Sequence, residues 1–188
     1  VDAQIDLYNR MIDDLRAARV AAQEQQQFLV QVMEASPAGM IVLGVDPGSM
    51  RTGYGAVESD GRRHRLIEMG TLAPGQRLSL PEKLRHIHAG VFALIERFSP
   101  DALAVEDVFH AANTRTALVL GHVRGVVLLA GAQAGLAVHE YPPATVKQQV
   151  TGFGRAEKSQ VAFMVTRMLA LPQAAQPGDA TDALAVAL

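Results

Sequence analysis

Residues 40–55 read MIVLGVDPGSMRTGYG, and this stretch decides the fold. Ile41-Val42-Leu43 belongs to an apolar, β-branched run of strand length that closes on a carboxylate, Asp46. Pro47, Gly48 and Gly53 then punctuate a chain reversal. A buried strand that delivers an acid to its C-terminal tip is typical of an open α/β sheet, where chemistry gathers at that edge. Asp46 reads equally as a turn initiator ahead of Pro47-Gly48. The stretch therefore sets the fold class before it sets a function.

Outward from this strand, Tyr54–Glu58 and Arg65–Thr71 read as two more strands, and Asp60-Gly61 between them supplies the turn of an antiparallel meander. Leu80–Phe98 is amphipathic, with Leu84, Ile87, His88, Val91, Leu94 and Ile95 on one face, and Ser99-Pro100 ends it. Asp101–Glu106 (DALAVE) is a second apolar strand that closes on an acid. Thr114–Ala134 is a long apolar helix in which Gly121, Gly125 and Gly131 suit close packing. Leu136–Glu140 is a short strand closed by Pro142-Pro143. Helices follow at Ala144–Val150, Lys158–Leu169 and Asp179–Leu188, with a Pro/Gln loop from Pro172 to Gly178. A meander followed by alternating helices and strands predicts an α/β fold: a five-stranded mixed sheet with helices on both faces.

Residues 1–39 differ in character. Ile5, Tyr8, Ile12, Leu15, Ala22, Leu29 and Met33 recur at three- and four-residue spacing, while Arg19 and Gln26 interrupt the stripe. This predicts one long helix of coiled-coil character, stopped by Ser36-Pro37 and Gly39. The stretch resembles the signalling helix ahead of a sensory domain in histidine kinases, down to its exit EASPAGMIVL. It is expected to be an extension, whether a fusion, an overextended start or an accessory helix, with the domain proper over residues 40–188.

Composition narrows the classes. The chain has 188 residues, 49% hydrophobic and 19% charged, enough for one domain with a real core. It has no cysteine, which excludes disulfides and thiolate metal sites. Uninterrupted apolar runs fall short of the ~18–20 residues of a membrane span, and no secretory leader is recognisable. A cytoplasmic setting without a membrane partner is expected. Net charge is −2, of which residues 1–39 carry −3 and the remainder +1. A near-neutral domain still binds phosphates when its acids gather in one pocket and its bases line the rim.

Four acids occupy such positions. Asp46 and Glu106 each end an apolar strand, and Asp179 and Asp182 open the last helix three residues apart, on one face. If the two strands are neighbours and the helix crosses their tips, all four converge. Clustered like charges require compensation, and a carboxylate-only set suits a hard cation, Mg²⁺ or Mn²⁺. Two such ions serve phosphodiester cleavage. Taken singly, Asp179 reads also as a helix N-cap and Asp182 as a first-turn acid facing the helix dipole. Glu106, closing so apolar a strand, is costly unless used.

Five blocks, VLGVDPGSMRTGYG, LAVEDVF, GHVRGVVLLA, EYPPATVKQQVTGFGRAEKSQV and GDATDALAVA, stand in order with matching spacing. Through them residues 40–188 resemble the RuvC family of Holliday-junction resolvases. The resemblance implies a ribonuclease-H-like fold and a homodimer. It implies paired nicks in opposed strands of a four-way DNA junction, with two Mg²⁺ or Mn²⁺ ions per site. It places the catalytic, metal-binding acids at Asp46, Glu106, Asp179 and Asp182 and the junction-wedging aromatic at Phe109. DNA contacts fall on Lys147, Lys158, Arg155 and Arg115, and the expected partners are the RuvA and RuvB branch-migration proteins. The chain departs from the pattern at Ala112, where relatives carry Lys, at His122, where they carry Gln, and at Leu188, where they continue the last helix.

Other readings stay open at this point. Lys147, Arg155 and Lys158 flank a Gly-rich turn and suit phosphate contacts, or are ordinary solvated charges. Phe109 lies past a strand tip, placed to stack between bases or to fold onto the core. His86, His88, His110 and His122 are expected to be non-catalytic. VDPGSMRTGYG also looks like the first phosphate loop of actin-like proteins and sugar kinases, a nucleotide-binding alternative. A catalytically impaired junction-binding module is the non-enzyme alternative.

Overall fold

The computed structural model describes residues 39–107, 113–171 and 178–188. The helix expected in residues 1–39 and the positions of Phe109, His110 and Ala112 lie outside the described residues, as does most of the Pro/Gln loop. Residues 40–188 form a compact unit by themselves.

Strands β1 (Met40–Asp46), β2 (Thr52–Ser59) and β3 (His64–Leu72) form the expected meander. β1 pairs antiparallel with β2, and β2 with β3. Gly61 makes the hairpin turn at φ 82°, where a side chain would be strained. Helix α1 (Leu80–Phe98) starts at a reciprocal cap: the Glu82 carboxylate accepts from the Ser79 N–H at 2.8 Å and from its hydroxyl at 2.6 Å. β4 (Ala102–Glu106) and β5 (Ala137–Tyr141) extend the sheet, β4 parallel to β1 and β5 parallel to β4. The sheet order is β3-β2-β1-β4-β5. Helices α2 (Thr114–Gln133), α3 (Pro143–Thr151), α4 (Lys158–Met168) and α5 (Asp179–Ala187) complete the unit.

Side-chain alternation divides the core into two layers. Leu43, Val45, Ala56, Leu103 and Val105 pack with α1 and α2 on one face. Val57 and Ala104 pack with α3, α4 and α5 on the other. Helices thus cover both faces, as expected.

The long helix departs from expectation. Gly131 does pack closely: a Cβ there would lie 2.7 Å from both Leu103 and Val138. Among the described residues Gly121 and Gly125 meet nothing within 4 Å. They lie on an open face beside Leu118 and Leu129, which are 60% and 49% exposed. Only Val123, Val127, Ala130 and Gly131 of this helix are buried. By length and composition α2 is also long and apolar enough to cross a membrane, contrary to the reading of apolar runs. The unbroken-run test missed it because His122 and Arg124 interrupt the run without making the helix polar. Its buried side sits on the sheet, as in the flanking helix of a globular core.

Candidate active site

The two parallel strands bring their carboxylates together. Val45 stands opposite Val105 in the β1–β4 register, so Asp46 and Glu106 are the next residues on adjacent strands. Both valines face the α1–α2 layer. Alternation therefore sends both acids to the opposite face, over which α5 runs. There the two carboxyl groups are hydrogen-bonded to each other.

Glycines seat α5 against these strands. A Cβ at Gly53, the β2 residue paired with Asp46, would lie 1.9 Å from the Asp179 carbonyl oxygen. At Gly44 it would lie 2.2 Å from the Ala183 oxygen, and at Gly55 2.6 Å from Leu184. The absent side chains let the helix backbone touch the sheet, and this lays its first turn across the tip of β1. The loop after Asp46 is tied down by buried Thr52, whose hydroxyl donates to the Gly48 carbonyl at 2.8 Å.

Electrostatics mark the acid pair. Asp46 is pushed up to about 8, first by burial and then by the Glu106 charge and hydrogen bond, with Asp182 adding to the rise. Burial also raises Glu106, and Asp182 adds to it, while the hydrogen bond from Asp46, Lys158 and Lys147 oppose the rise. Burial and mutual repulsion of the two carboxylates favour one proton held between them.

The other predicted residues separate into distinct places. Asp182 is held by Lys158, whose Nζ donates to its carboxylate at 2.5 Å, and this hydrogen bond raises the lysine. Lys158, read from the sequence as a DNA contact, thus stands beside the acid group. Lys147 acts on Glu106 from nearby. Asp179 turns outward, 3.6 Å from the Arg51 guanidinium. It is not an N-cap: Gly178 holds that position and makes no side-chain cap bond. Among the described residues no group of three or more His, Asp and Glu side chains is drawn tightly enough to enclose a metal ion. Arg115 and Arg155 are exposed. His122 bonds the Leu118 carbonyl at 2.6 Å and His88 bonds Gln133 at 2.9 Å, so both have structural partners.

Sequence reasoning missed Arg51 and Arg124. Arg124 contacts Asp107 at 3.2 Å and also Glu140, on the face of the sheet away from the acid pair. Its signal was a cation in the middle of an apolar stretch, Ala117–Ala132, that otherwise carries only His122 as a polar side chain.

The model of the family "Crossover junction endodeoxyribonuclease RuvC" matches residues 42–188. The chain belongs to this family. The RuvC of Desulforamulus reducens is 48% identical over 149 residues, which are 79% of this chain and 91% of that protein. The RuvC of Chloroflexus aggregans is 47% identical over the same shares of the two chains. Thermus thermophilus RuvC, solved in complex with Holliday junction substrate, is 37% identical with a TM-score of 0.74, covering 79% of this chain and 90% of that one. The yeast mitochondrial Holliday junction resolvase Ydc2 is 13% identical with a TM-score of 0.60, covering 86% and 82%, and shares the fold. The five-stranded sheet with its helices is the ribonuclease-H-like fold of RuvC.

Proposed function

We infer that this chain is a crossover junction endodeoxyribonuclease, a Holliday junction resolvase of DNA recombination and repair. The observation that carries the site assignment is the half-buried Asp46–Glu106 pair at neighbouring strand tips. Neither the nucleotide-binding alternative nor the impaired-module alternative is favoured, because RuvC relatives match over the whole of the domain.

The family is one of metal-dependent nucleases. The donor set here fits a hard divalent cation, since all its ligand atoms are carboxylate oxygens and burial beside like charges raises both Asp46 and Glu106. Asp46 and Glu106 would hold Mg²⁺ or Mn²⁺, with Asp182 and Asp179 joining on the helix side, in a site for two ions. The chemistry a metal would supply there is activation of a water and compensation of charge on the leaving 3′ oxygen of a phosphodiester. The chain's residues do the rest. β1, β4 and α5 fix the acids on rigid supports. Lys158 keeps Asp182 aligned until substrate arrives, and Lys147 and Lys158 then attract the scissile strand. Arg155 and Arg115 neutralise flanking phosphates, and Phe109 enters the junction centre as the stacking aromatic.

Two opposed strands need two active sites. A homodimer supplies them through the open face of α2, with RuvA and RuvB as partners on the junction and the cytoplasm as the setting. On this reading the nuclease domain is residues 40–188, and residues 1–39 are an extension that the nuclease chemistry does not need. The deciding test is nicking of synthetic four-way junctions in Mg²⁺, compared with linear duplex of the same sequence. Paired nicks confined to junctions are expected. Equal cleavage of duplex, or none of either, overturns the reading.

A further inference from the structure

Arg124 has no part in the chemistry above, yet its placement is unusual. It lies on α2 between the buried residues Val123 and Val127, and its side chain is 28% exposed. One terminal nitrogen serves two acids from two strands: Asp107 Oδ1 at 3.2 Å and Glu140 Oε2. Its Nε is buried without a hydrogen-bond partner, so the two acids are what hold the guanidinium. Asp107 directly follows Glu106, and its N–H donates to the Tyr141 carbonyl at 2.8 Å, extending the β4–β5 ladder by one residue.

Successive strand residues point to opposite faces. Val105 faces the α2 layer, Glu106 the α5 layer, and Asp107 the α2 layer again, where Arg124 meets it. Glu140 stands opposite Val105 in register and approaches from the same side. Gripping Asp107 and Glu140 from below therefore fixes the twist of the final β4 peptide, and with it the direction in which Glu106 leaves the opposite face. We propose that Arg124 is a positioning residue for Glu106, clamping the strand end from the far face of the sheet so that the carboxylate is presented at a fixed angle to the site. The inference rests on the reading of Glu106 as catalytic. A long cationic side chain suits the role because a single terminal nitrogen reaches the carboxylates of both Asp107 and Glu140.

The test uses the full chain and the variants Arg124→Met, Arg124→Lys, Asp107→Asn and Glu106→Gln. Three quantities are read for each: junction affinity in Ca²⁺, single-turnover nicking in Mg²⁺, and the shift of the thermal midpoint on titration with Mg²⁺ alone. Arg124→Met and Asp107→Asn are expected to keep junction affinity within threefold. They should lose nicking by about 10–100-fold, as supporting partners of metal ligands do, and need more Mg²⁺ to reach the same midpoint shift. Arg124→Lys should recover a large part of the loss, and Arg124→Met in the Asp107→Asn background should add little. Nicking within threefold of the parent, with an unchanged Mg²⁺ titration, overturns the proposal. So does a loss of nicking that only follows a loss of folded protein or of junction binding. If Arg124→Met does not fold, Asp107→Asn decides by the same criteria. Glu106→Gln separates the two levels: if it cleaves like the parent, the assignment of Glu106 fails. If it is inactive while Arg124→Met and Asp107→Asn are not impaired, the positioning role alone fails.

Discussion

At the residue scale, the acid pair makes two measurable claims. Asp46→Asn and Glu106→Gln keep side-chain shape and remove one charge each. Each should lower single-turnover junction nicking by roughly 10²–10³-fold or more, with junction affinity in Ca²⁺ retained, since phosphate contacts set affinity. Cleavage within tenfold of the parent would refute the assigned role. The second claim concerns pH. Asp46 sits at about 8 in the fold against an ordinary value of 3.8, so the native state holds its proton more tightly than the unfolded chain does. The stability this contributes is fully present below pH 4 and is lost as pH rises from 4 to 8. In chelator, the parent's thermal midpoint should therefore fall between pH 5 and 8, and Asp46→Asn should flatten that slope. At about 2–4 °C per kcal/mol the difference amounts to several degrees. Mg²⁺ at pH 8 should raise the parent's midpoint by binding the native state, and raise that of Asp46→Asn far less. Parallel pH slopes for the two proteins would count against the shared proton.

At the element scale, α5 reaches the acid pair only because β1 and β2 lack side chains where it crosses. Gly53→Ala puts a methyl group where the Asp179 carbonyl now lies, 1.9 Å away. The helix must move, at a cost of about 1–3 kcal/mol, and nicking should fall although no carboxylate has been touched. A Gly53→Ala variant with the parent's midpoint and rate would show that α5 does not need this seat. β1 and β4 were legible in the sequence as apolar runs that stop at Asp46 and Glu106, and β2 and β3 through the Asp60-Gly61 turn between them. The spacing of Asp179 and Asp182 was legible as one helix face. What could not be read was anything that depends on register. That Gly53 faces Asp46 across β1–β2 follows from strand pairing, not from local pattern. That Lys158 turns inward to Asp182 depends on where α4 meets α5. The buried side of α2 was hidden because the helix is apolar around its circumference, so no stripe announced which glycines pack inside; only Gly131 does.

At the scale of the whole molecule, that same helix leaves an apolar face that the other described residues do not cover. An apolar surface of this kind is where a second copy gains most from association, because burial removes it from water. Leu118, Gly121, Gly125 and Leu129 recur at helical spacing along it, and the two glycines allow another helix to come near. A two-fold pairing of this face with itself places two acid pairs in symmetric positions, which suits paired nicks in a substrate that is itself two-fold. Gly125→Glu tests the idea cleanly. Among the described residues nothing lies within 4 Å of a Cβ at this position, and glutamate favours a helix over glycine by roughly 0.5–1 kcal/mol. The monomer should fold at least as well as the parent. Across a two-fold axis, however, the substitution sets two like charges near each other in an apolar contact. Sedimentation at micromolar concentration should show a dimer for the parent and a monomer for Gly125→Glu. On a junction built with two cleavable sites, the variant should give slow single nicks in place of near-simultaneous pairs. If Gly125→Glu sediments as the parent does and still nicks in pairs, the open face of α2 is not the dimer contact.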